Sequence, residues 1–287
     1  MSRTAYVNGR YVPHRLAAVH IEDRGYQFSD GIYEVCEVCE GKLIDEARHM
    51  ARLSRSLSEL QIQNPMKMTA LQRVLRETVR RNRVVDGLVY VQITRGVAPR
   101  DHAFPPPDTL PAVVVTAKRV PRAQGERKAG AGVKVITLPD NRWDRVDIKT
   151  VSLLPNILAK QKAKDAGAYE AWFFDEDGNV TEGSSTNAWI VDQDGTLITR
   201  PAEHGILRGI TRMVVMDVAA REGIKVEERH FSVDEAKTAR EAFITAASTL
   251  VMPVVEIDGK VIGNGQPGSI SRSLREKFHE HAEVAAP

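Results

Sequence analysis

Cysteine is nearly absent from this 287-residue chain, with Cys36 and Cys39 the only two. A three-residue offset puts them on opposite faces of the strand expected there. No second Cys/His pair stands nearby to complete a zinc site, so they read as two reduced thiols rather than a redox or metal pair. Reduced thiols point to a cytoplasmic address. Long apolar runs are missing too: nothing approaches the roughly 20 residues that a spanning helix needs. The stretch from Met1 to Gly9 has no apolar core, so no secretory signal is expected. Charge of one sign is also lacking. Forty Lys and Arg against 38 Asp and Glu leave a formal +2, which gives no global field for nucleic acid or a membrane surface. Repeats and low-complexity segments are absent. What remains, 42% apolar and 27% charged residues, is ordinary for a globular protein long enough for one large domain or two modest ones.

The pattern of elements favours two. Thr4–Val7 and Arg10–Val12 flank Asn8-Gly9, the pair that best tolerates a tight hairpin turn. Ile32–Cys39 turns through Glu40-Gly41 into Lys42–Ile44. Asp45 is the expected N-cap of a helix with Met50, Leu53, Leu57 and Leu60 on one face. Thr69 and Gln72 form a capping-box pattern ahead of Leu71, Val74, Leu75 and Val79. Strands follow at Leu88–Thr94 and Ala112–Lys118. The Pro-, Gly- and Arg-rich segment from Arg119 to Gly132 reads as an interdomain linker.

Beyond it, strand Val133–Leu138 leads through a loop to Lys149, and a helix runs from about Pro155 to a stop at Gly167. Strands at Ala171–Phe174 and Ala188–Val191, a helix Gly209–Arg221, and a capping box at Ser232 and Glu235 come next. Strands Phe243–Thr245 and Val254–Ile257 precede a final helix Ser269–Glu283. Hairpins and helices mix without strict βαβ alternation, so the expectation is an α+β fold of two lobes: 1–120, a linker 121–132, and 133–287 carrying Lys149.

Four segments could carry chemistry. Lys149 sits between Ile148 and Val151; burial lowers an amine's pKa and makes it a better nucleophile toward an aldehyde, although most lysines are surface charges. Thr181–Asn187 is a run of hydroxyls around Glu182 that reads either as a polar hairpin loop or as a carboxylate needing a buried cationic partner. Leu207-Arg208-Gly209-Ile210-Thr211-Arg212 places a glycine and a hydroxyl at a helix start. The free N–H groups there suit phosphate, although no Walker or GxGxxG pattern is present. On the loop Thr94–Pro105, Arg100 and His102 alternate and could aim two donors at one carboxylate, or could simply belong to a basic surface loop. Each signal alone is weak. Together, an aldehyde-reactive lysine, an acid for a ring nitrogen, a phosphate cradle and a carboxylate trap fit pyridoxal phosphate acting on an amino acid.

The chain resembles the class IV, fold-type IV aminotransferases, and within them the bacterial D-amino-acid transaminases. The resemblance is densest at Arg24–Val35, Ile93–Pro105, Asp147-Ile148-Lys149, Val180–Asn187 and Ile206–Arg212. It implies a smaller N-terminal lobe, a larger C-terminal lobe and pyridoxal 5'-phosphate between them. Lys149 would condense with the cofactor's aldehyde and shuttle the substrate's proton. Glu182 would face the pyridine nitrogen, Leu207 would pack on the ring, and Arg52, Ile210 and Thr211 would hold the phosphate. Tyr33, Arg100 and His102 resemble the substrate-carboxylate trap of the D-specific branch, in which the Arg and His reach in from the second subunit of a homodimer.

The second phosphate turn departs from the family's Ser- and Thr-rich pattern. Ala246 and Ala247 bring no hydroxyl, which leaves backbone N–H groups, those of Ala247 and Ser248 among them, and the hydroxyls of Ser248 or Thr249. The implied activity is ping-pong transfer between D-amino acids such as D-alanine or D-glutamate and 2-oxoglutarate or pyruvate, with neither nucleic acid nor membrane as a partner. Branched-chain L-amino-acid aminotransferase and aminodeoxychorismate lyase are the alternatives of the same fold. The rival outside enzymology is a non-catalytic binding module.

Overall fold

The computed structural model describes residues 3–203 and 205–284. The chain divides into two compact units. The first takes in Met1–Arg122, Ile148–Ser152 and Glu283–Pro287; the second takes in Ala123–Asp147 and Leu153–Ala282.

The first unit holds β1 (Thr4–Val7), β2 (Arg10–Pro13), α1 (Arg24–Phe28), β3 (Gly31–Cys39), β4 (Lys42–Leu43), α2 (Glu46–Glu59), α3 (Met68–Asn82), β5 (Gly87–Thr94) and β6 (Ala112–Arg119). Its six strands form one antiparallel sheet in the order β2-β1-β6-β5-β3-β4. On β3 the period of two is plain: Ile32, Glu34, Cys36 and Val38 are buried, and Tyr33, Val35, Glu37 and Cys39 between and after them are only half-buried. The inward residues meet Leu53 and Leu57 of α2 and Leu71, Leu75 and Val79 of α3 in one core. The Asn8-Gly9 hairpin forms as expected, with both residues at positive φ.

The second unit holds α4 (Arg122–Ala131), which starts at the unit boundary, then β7 (Val133–Pro139), α5 (Leu154–Asp165), β8 (Glu170–Phe174), β9 (Val180–Gly183), β10 (Asn187–Val191), β11 (Leu197–Thr199), α6 (Ile210–Arg221), β12 (Val226–Glu228), α7 (Val233–Thr238), β13 (Glu241–Ala246), β14 (Leu250–Ile257), β15 (Lys260–Val261) and α8 (Ser269–His281). Its sheet runs β12-β11-β10-β13-β14-β7-β8-β9, with β15 paired to β14. Parallel pairs (β11 with β12, β14 with β7, β7 with β8) mix with antiparallel ones, as an α+β sheet allows. Trp172, Phe231, Ile190 and Ile244 lie in its main core.

Several local expectations change. The segment read as a linker contains α4. Its run of Arg, Gln, Glu, Lys and Ala favours helix, Pro121 precedes it, and Gly132 ends it at positive φ. It buries only Ala129, which is why no apolar stripe announced it. The sequence pattern puts Lys149 in the C-terminal lobe, but Ile148–Ser152 groups with the first unit. The reason is β-type pairing. Tyr33 N–H donates to the Lys149 carbonyl at 3.0 Å, Val151 N–H donates to the Gly31 carbonyl at 3.1 Å, and Ile148 is buried in the first core.

Asp45 does not cap α2. It adopts a left-handed conformation, and its Oδ1 accepts from Glu283 N–H at 3.0 Å. Helix α3 starts at Met68, one residue ahead of the Thr69 cap expected, and has no side-chain cap. The Ser232 cap forms as read, accepting from Glu235 N–H at 3.0 Å. Glu182 lies on β9 rather than in a loop.

Candidate active site

In the first unit, β3 presents Tyr33 and Glu34 on opposite faces. Lys149 Nζ stands 4.3 Å from the Tyr33 ring centroid, a cation–π approach, and Lys149 N–H points at Ser56 Oγ of α2 at 3.4 Å. Lys149 itself is half-buried, between buried Ile148 and Thr150. Tyr33 also lies 5.6 Å from the Tyr90 ring.

Glu34, which the sequence reading passed over, is fully buried and organises its side of the sheet. Its carboxylate accepts from Arg52 Nε at 2.7 Å and from Arg52 NH2 at 2.9 Å, a two-pronged pairing, and lies 2.8 Å from His49 Nδ1. A carboxylate only accepts, so His49 carries its proton on Nδ1. Burial by itself would raise the Glu34 carboxyl. The charge and hydrogen bonds of Arg52, helped by His49, outweigh it and hold the group well below the usual carboxylate range. The same pairing raises Arg52 against its own burial. A signal for this was present: a glutamate on the apolar face of an alternating strand needs a buried cation, and His49 and Arg52 are one helical turn apart on α2.

Arg100 and His102 lie on the exposed loop after β5. The structure brings them together around Phe28 of α1: the Arg100 guanidinium carbon is 4.9 Å from the ring centroid and the His102 ring 5.4 Å. Tyr33 keeps instead to Lys149 and Tyr90.

In the second unit, buried Glu182 of β9 accepts from Arg142 NH1 at 2.5 Å, from Asn187 Nδ2 at 3.1 Å and from Leu207 N–H at 3.1 Å. The cation expected opposite it is thus Arg142, itself gripped by Asp140, which also accepts from Thr181 Oγ1. Burial pushes the Glu182 carboxyl up, against the pull of Arg142 and the Leu207 N–H. Arg142 and Asn187 are functional candidates to which the sequence reading gave no role. Asn187 Nδ2 also donates to the Leu207 carbonyl at 2.9 Å, and a side chain at Gly209 would collide with Asn187 Oδ1. Asn187 therefore ties β10 to the segment that opens α6.

That helix begins at Gly209 without a side-chain cap, with Ile210 and Thr211 buried in its first turn and half-buried Leu207 just ahead. The turn after β13 carries half-buried Ala247 and exposed Ser248. Thr249 Oγ1 is buried with no hydrogen-bonding partner among the described residues. A buried hydroxyl without a partner is costly unless a ligand satisfies it. A carboxylate has about four acceptor directions. Glu182 uses three, so one remains for a donor such as a protonated ring nitrogen. The donor set therefore fits a phosphorylated, nitrogen-bearing ring. Among the described residues no cluster of His, Cys, Asp and Glu is arranged to hold a metal ion, and the two cysteines are free.

The family model described as amino-transferase class IV matches residues 31–257. The chain belongs to the class IV aminotransferases. D-alanine aminotransferase of Staphylococcus haemolyticus is 39% identical over 278 residues, 97% of each chain. D-alanine aminotransferase of Bacillus licheniformis is 41% identical over 268 residues, 93% of each. Among solved structures, the branched-chain aminotransferase of the thermophilic archaeon Thermoproteus uzoniensis with norvaline superposes with a TM-score of 0.85 at 26% identity, over 99% of each chain. Class IV aminotransferases work through pyridoxal 5'-phosphate, and the two-unit α+β architecture of this class IV chain is the fold-type IV architecture.

Proposed function

We propose that this class IV aminotransferase transfers the amino group of D-amino acids to 2-oxo acids, alternating between the two in a ping-pong cycle. The observation that carries the reading is the likeness to D-alanine aminotransferases, 39–41% identical over nearly the whole chain. When bound, the cofactor supplies an aldehyde that takes up the amino group and a ring that withdraws electrons from the substrate's α-carbon. The chain's residues do the rest. The Lys149 amine carries the cofactor and moves the proton at the α-carbon. Glu182 keeps a proton on the ring nitrogen, a task for the ionised carboxylate, and Arg142 favours that form against the upward push of burial. Arg52, the N–H groups of Ile210 and Thr211, the Thr211 hydroxyl and the turn at Ala247 and Ser248 bind phosphate. Leu207 packs on the ring. Tyr33, Arg100 and His102 bind the substrate carboxylate and so fix which face of the α-carbon meets Lys149.

We also assign a homodimer in which each protomer lends Arg100 and His102 to its partner. Exposed Ile21 (76%), Tyr26 (75%) and Leu110 (81%) support this. Their main chains neighbour one stretch: Gln27 Nε2 donates to the Ile21 carbonyl, Arg24 N–H donates to the Gly96 carbonyl, and a side chain at Gly96 would collide with the Leu110 carbonyl. Large apolar side chains left exposed on neighbouring segments suit a contact surface. A cytoplasmic address completes the proposal, supported by the free thiols. No helix among the described residues is long and apolar enough to cross a membrane.

The likeness to a branched-chain aminotransferase favours one competing reading, transamination of L-leucine and its relatives. Assaying D-alanine and L-leucine side by side with 2-oxoglutarate separates the two; turnover of L-leucine alone refutes the D-specific reading. Borohydride reduction should fix a pyridoxyl label on Lys149, and Lys149→Ala should lose both the label and turnover. A label at another position would overturn the assignment of the lysine.

A further inference from the structure

The loop that carries Arg100 and His102 is exposed, yet its centre is tied down. Asp101, between the two, offers its main-chain carbonyl to Arg24 NH1 at 2.6 Å. Its Oδ1 accepts from Ala103 N–H at 3.1 Å, closing an Asx turn around His102. Arg24 is only 3% exposed. Its Nε donates to Asp30 Oδ2 at 2.8 Å, and the same oxygen accepts from Arg95 Nε at 2.8 Å. Arg95 in turn donates to the carbonyls of Leu60 and Gln61. Phe28, at the far end of α1, completes the arrangement. The guanidinium carbons of Arg24 and Arg100 each lie 4.9 Å from its centroid, and the His102 ring lies 5.4 Å away. Helix α1 is fixed at its start by Asp23, which accepts from Gly25 N–H at 2.8 Å, and a side chain at Gly25 would collide with Thr94.

We propose that Arg24 is a positioning residue for substrate recognition: by gripping the Asp101 carbonyl it sets the directions in which Arg100 and His102 are presented. This rests on the reading of those two residues as ligands of the substrate carboxylate. In an extended loop, alternate side chains swing when the peptide between them rotates. Anchoring the Asp101 carbonyl fixes that planar peptide, and the Asx turn fixes the next one. A guanidinium does this because NH1 reaches the carbonyl while Nε stays on Asp30, a fork that the point charge of a lysine does not reproduce. The motif Asp23-Arg24-Gly25 together with Phe28 thereby gains a role in specificity rather than in packing alone.

The experiment measures steady-state kinetics of the holoenzyme with D-alanine and 2-oxoglutarate for Arg24→Lys, Asp101→Ala, Asp101→Asn and Arg100→Ala. Arg24→Lys and Asp101→Ala should each raise KM for D-alanine about tenfold while kcat changes by less than about threefold, because binding geometry rather than proton transfer is lost. Asp101→Asn keeps the accepting oxygen and should restore KM to the wild-type value. Asp101→Ala spares the main-chain carbonyl and tests the Asx turn, so Arg24→Gln, which loses the guanidinium fork, carries the test of the grip by the same KM reading if Arg24→Lys fails to fold. Wild-type KM in both Asp101→Ala and Arg24→Lys, with a raised KM in Arg100→Ala, overturns the positioning role and leaves the carboxylate reading standing. An unaltered KM in Arg100→Ala overturns the reading itself, and the proposal with it. A loss of kcat alone in Asp101→Ala and Arg24→Lys, with KM unaltered, also overturns the proposal.

Discussion

Replacing Glu34 with glutamine removes the negative charge that faces Arg52 and His49 in the core of the first unit. The carboxylate accepts three hydrogen bonds there, two from a guanidinium whose side chain is only 10% exposed. Hydrogen bonds to a charged group contribute about 1.5–3 kcal/mol each, but the pair has already given up hydration, so these figures do not simply add. Removing one partner of a buried pair costs about 3–5 kcal/mol, chiefly because the other charge is left uncompensated. Glutamine keeps one accepting oxygen, so about 3 kcal/mol is expected, a large share of the ~5–15 kcal/mol by which proteins of this kind are stable.

The loss should depend on pH in a definite sense. A carboxyl held below its ordinary value of 4.5 stabilises the fold above that value, and the contribution fades as pH falls toward the depressed folded value. The wild-type advantage over Glu34→Gln should therefore be full at pH 7 and shrink steadily below about pH 4.5. Urea unfolding of the apoprotein followed by circular dichroism at pH 7 and pH 4 measures both numbers. The same variant should bind pyridoxal phosphate more weakly, since Arg52 loses its alignment. A variant within about 1 kcal/mol of wild type at pH 7, or a gap that widens in acid, would refute the reasoning.

Arg142→Met leaves the Leu207 N–H as the main group opposing burial at Glu182, so that carboxyl should move further up; kcat should fall about tenfold and the acid limb of its pH profile should shift to higher pH. Gly209→Ala sets a methyl against Asn187 Oδ1. It should weaken cofactor binding at least about tenfold and cost about 1–3 kcal/mol in thermal or urea unfolding. Thr249→Val removes the unpartnered hydroxyl. If that hydroxyl serves the phosphate, the Kd for pyridoxal phosphate should rise by about fivefold in a fluorescence titration while apoprotein stability stays level or improves.

Some of the candidate site was legible before any fold. Lys149, Glu182 and the Arg100–His102 pair stand in spaced motifs whose order carries the family, and the Asn8-Gly9 turn and Ser232 cap follow from local backbone preference. Other parts were not. Asp45 has the residue type of a cap, yet its carboxylate turns to Glu283, 238 positions away. The basic stretch before Gly132 reads as a linker because α4 buries almost nothing, and a helix without an apolar stripe leaves no periodic trace. Ser248 and Thr249 were equal candidates for a missing hydroxyl, and only burial separated them.

The linear order of residues by itself determined most of the strands, the hairpins, the family and the chemical types on hand, because periodicity and turn preference act over a few positions; β9, β11 and β12, each of three or four residues, were too short to show a period. Tertiary structure alone decided the partners: Glu34 with Arg52 and His49, Arg142 with Glu182 forty positions on, Arg24 with Asp101, and the Lys149 segment against β3. Those pairings exist because a charge or a backbone amide taken out of water must find its complement wherever the packed chain happens to bring one. That requirement is set by burial, which no stretch of sequence carries on its own.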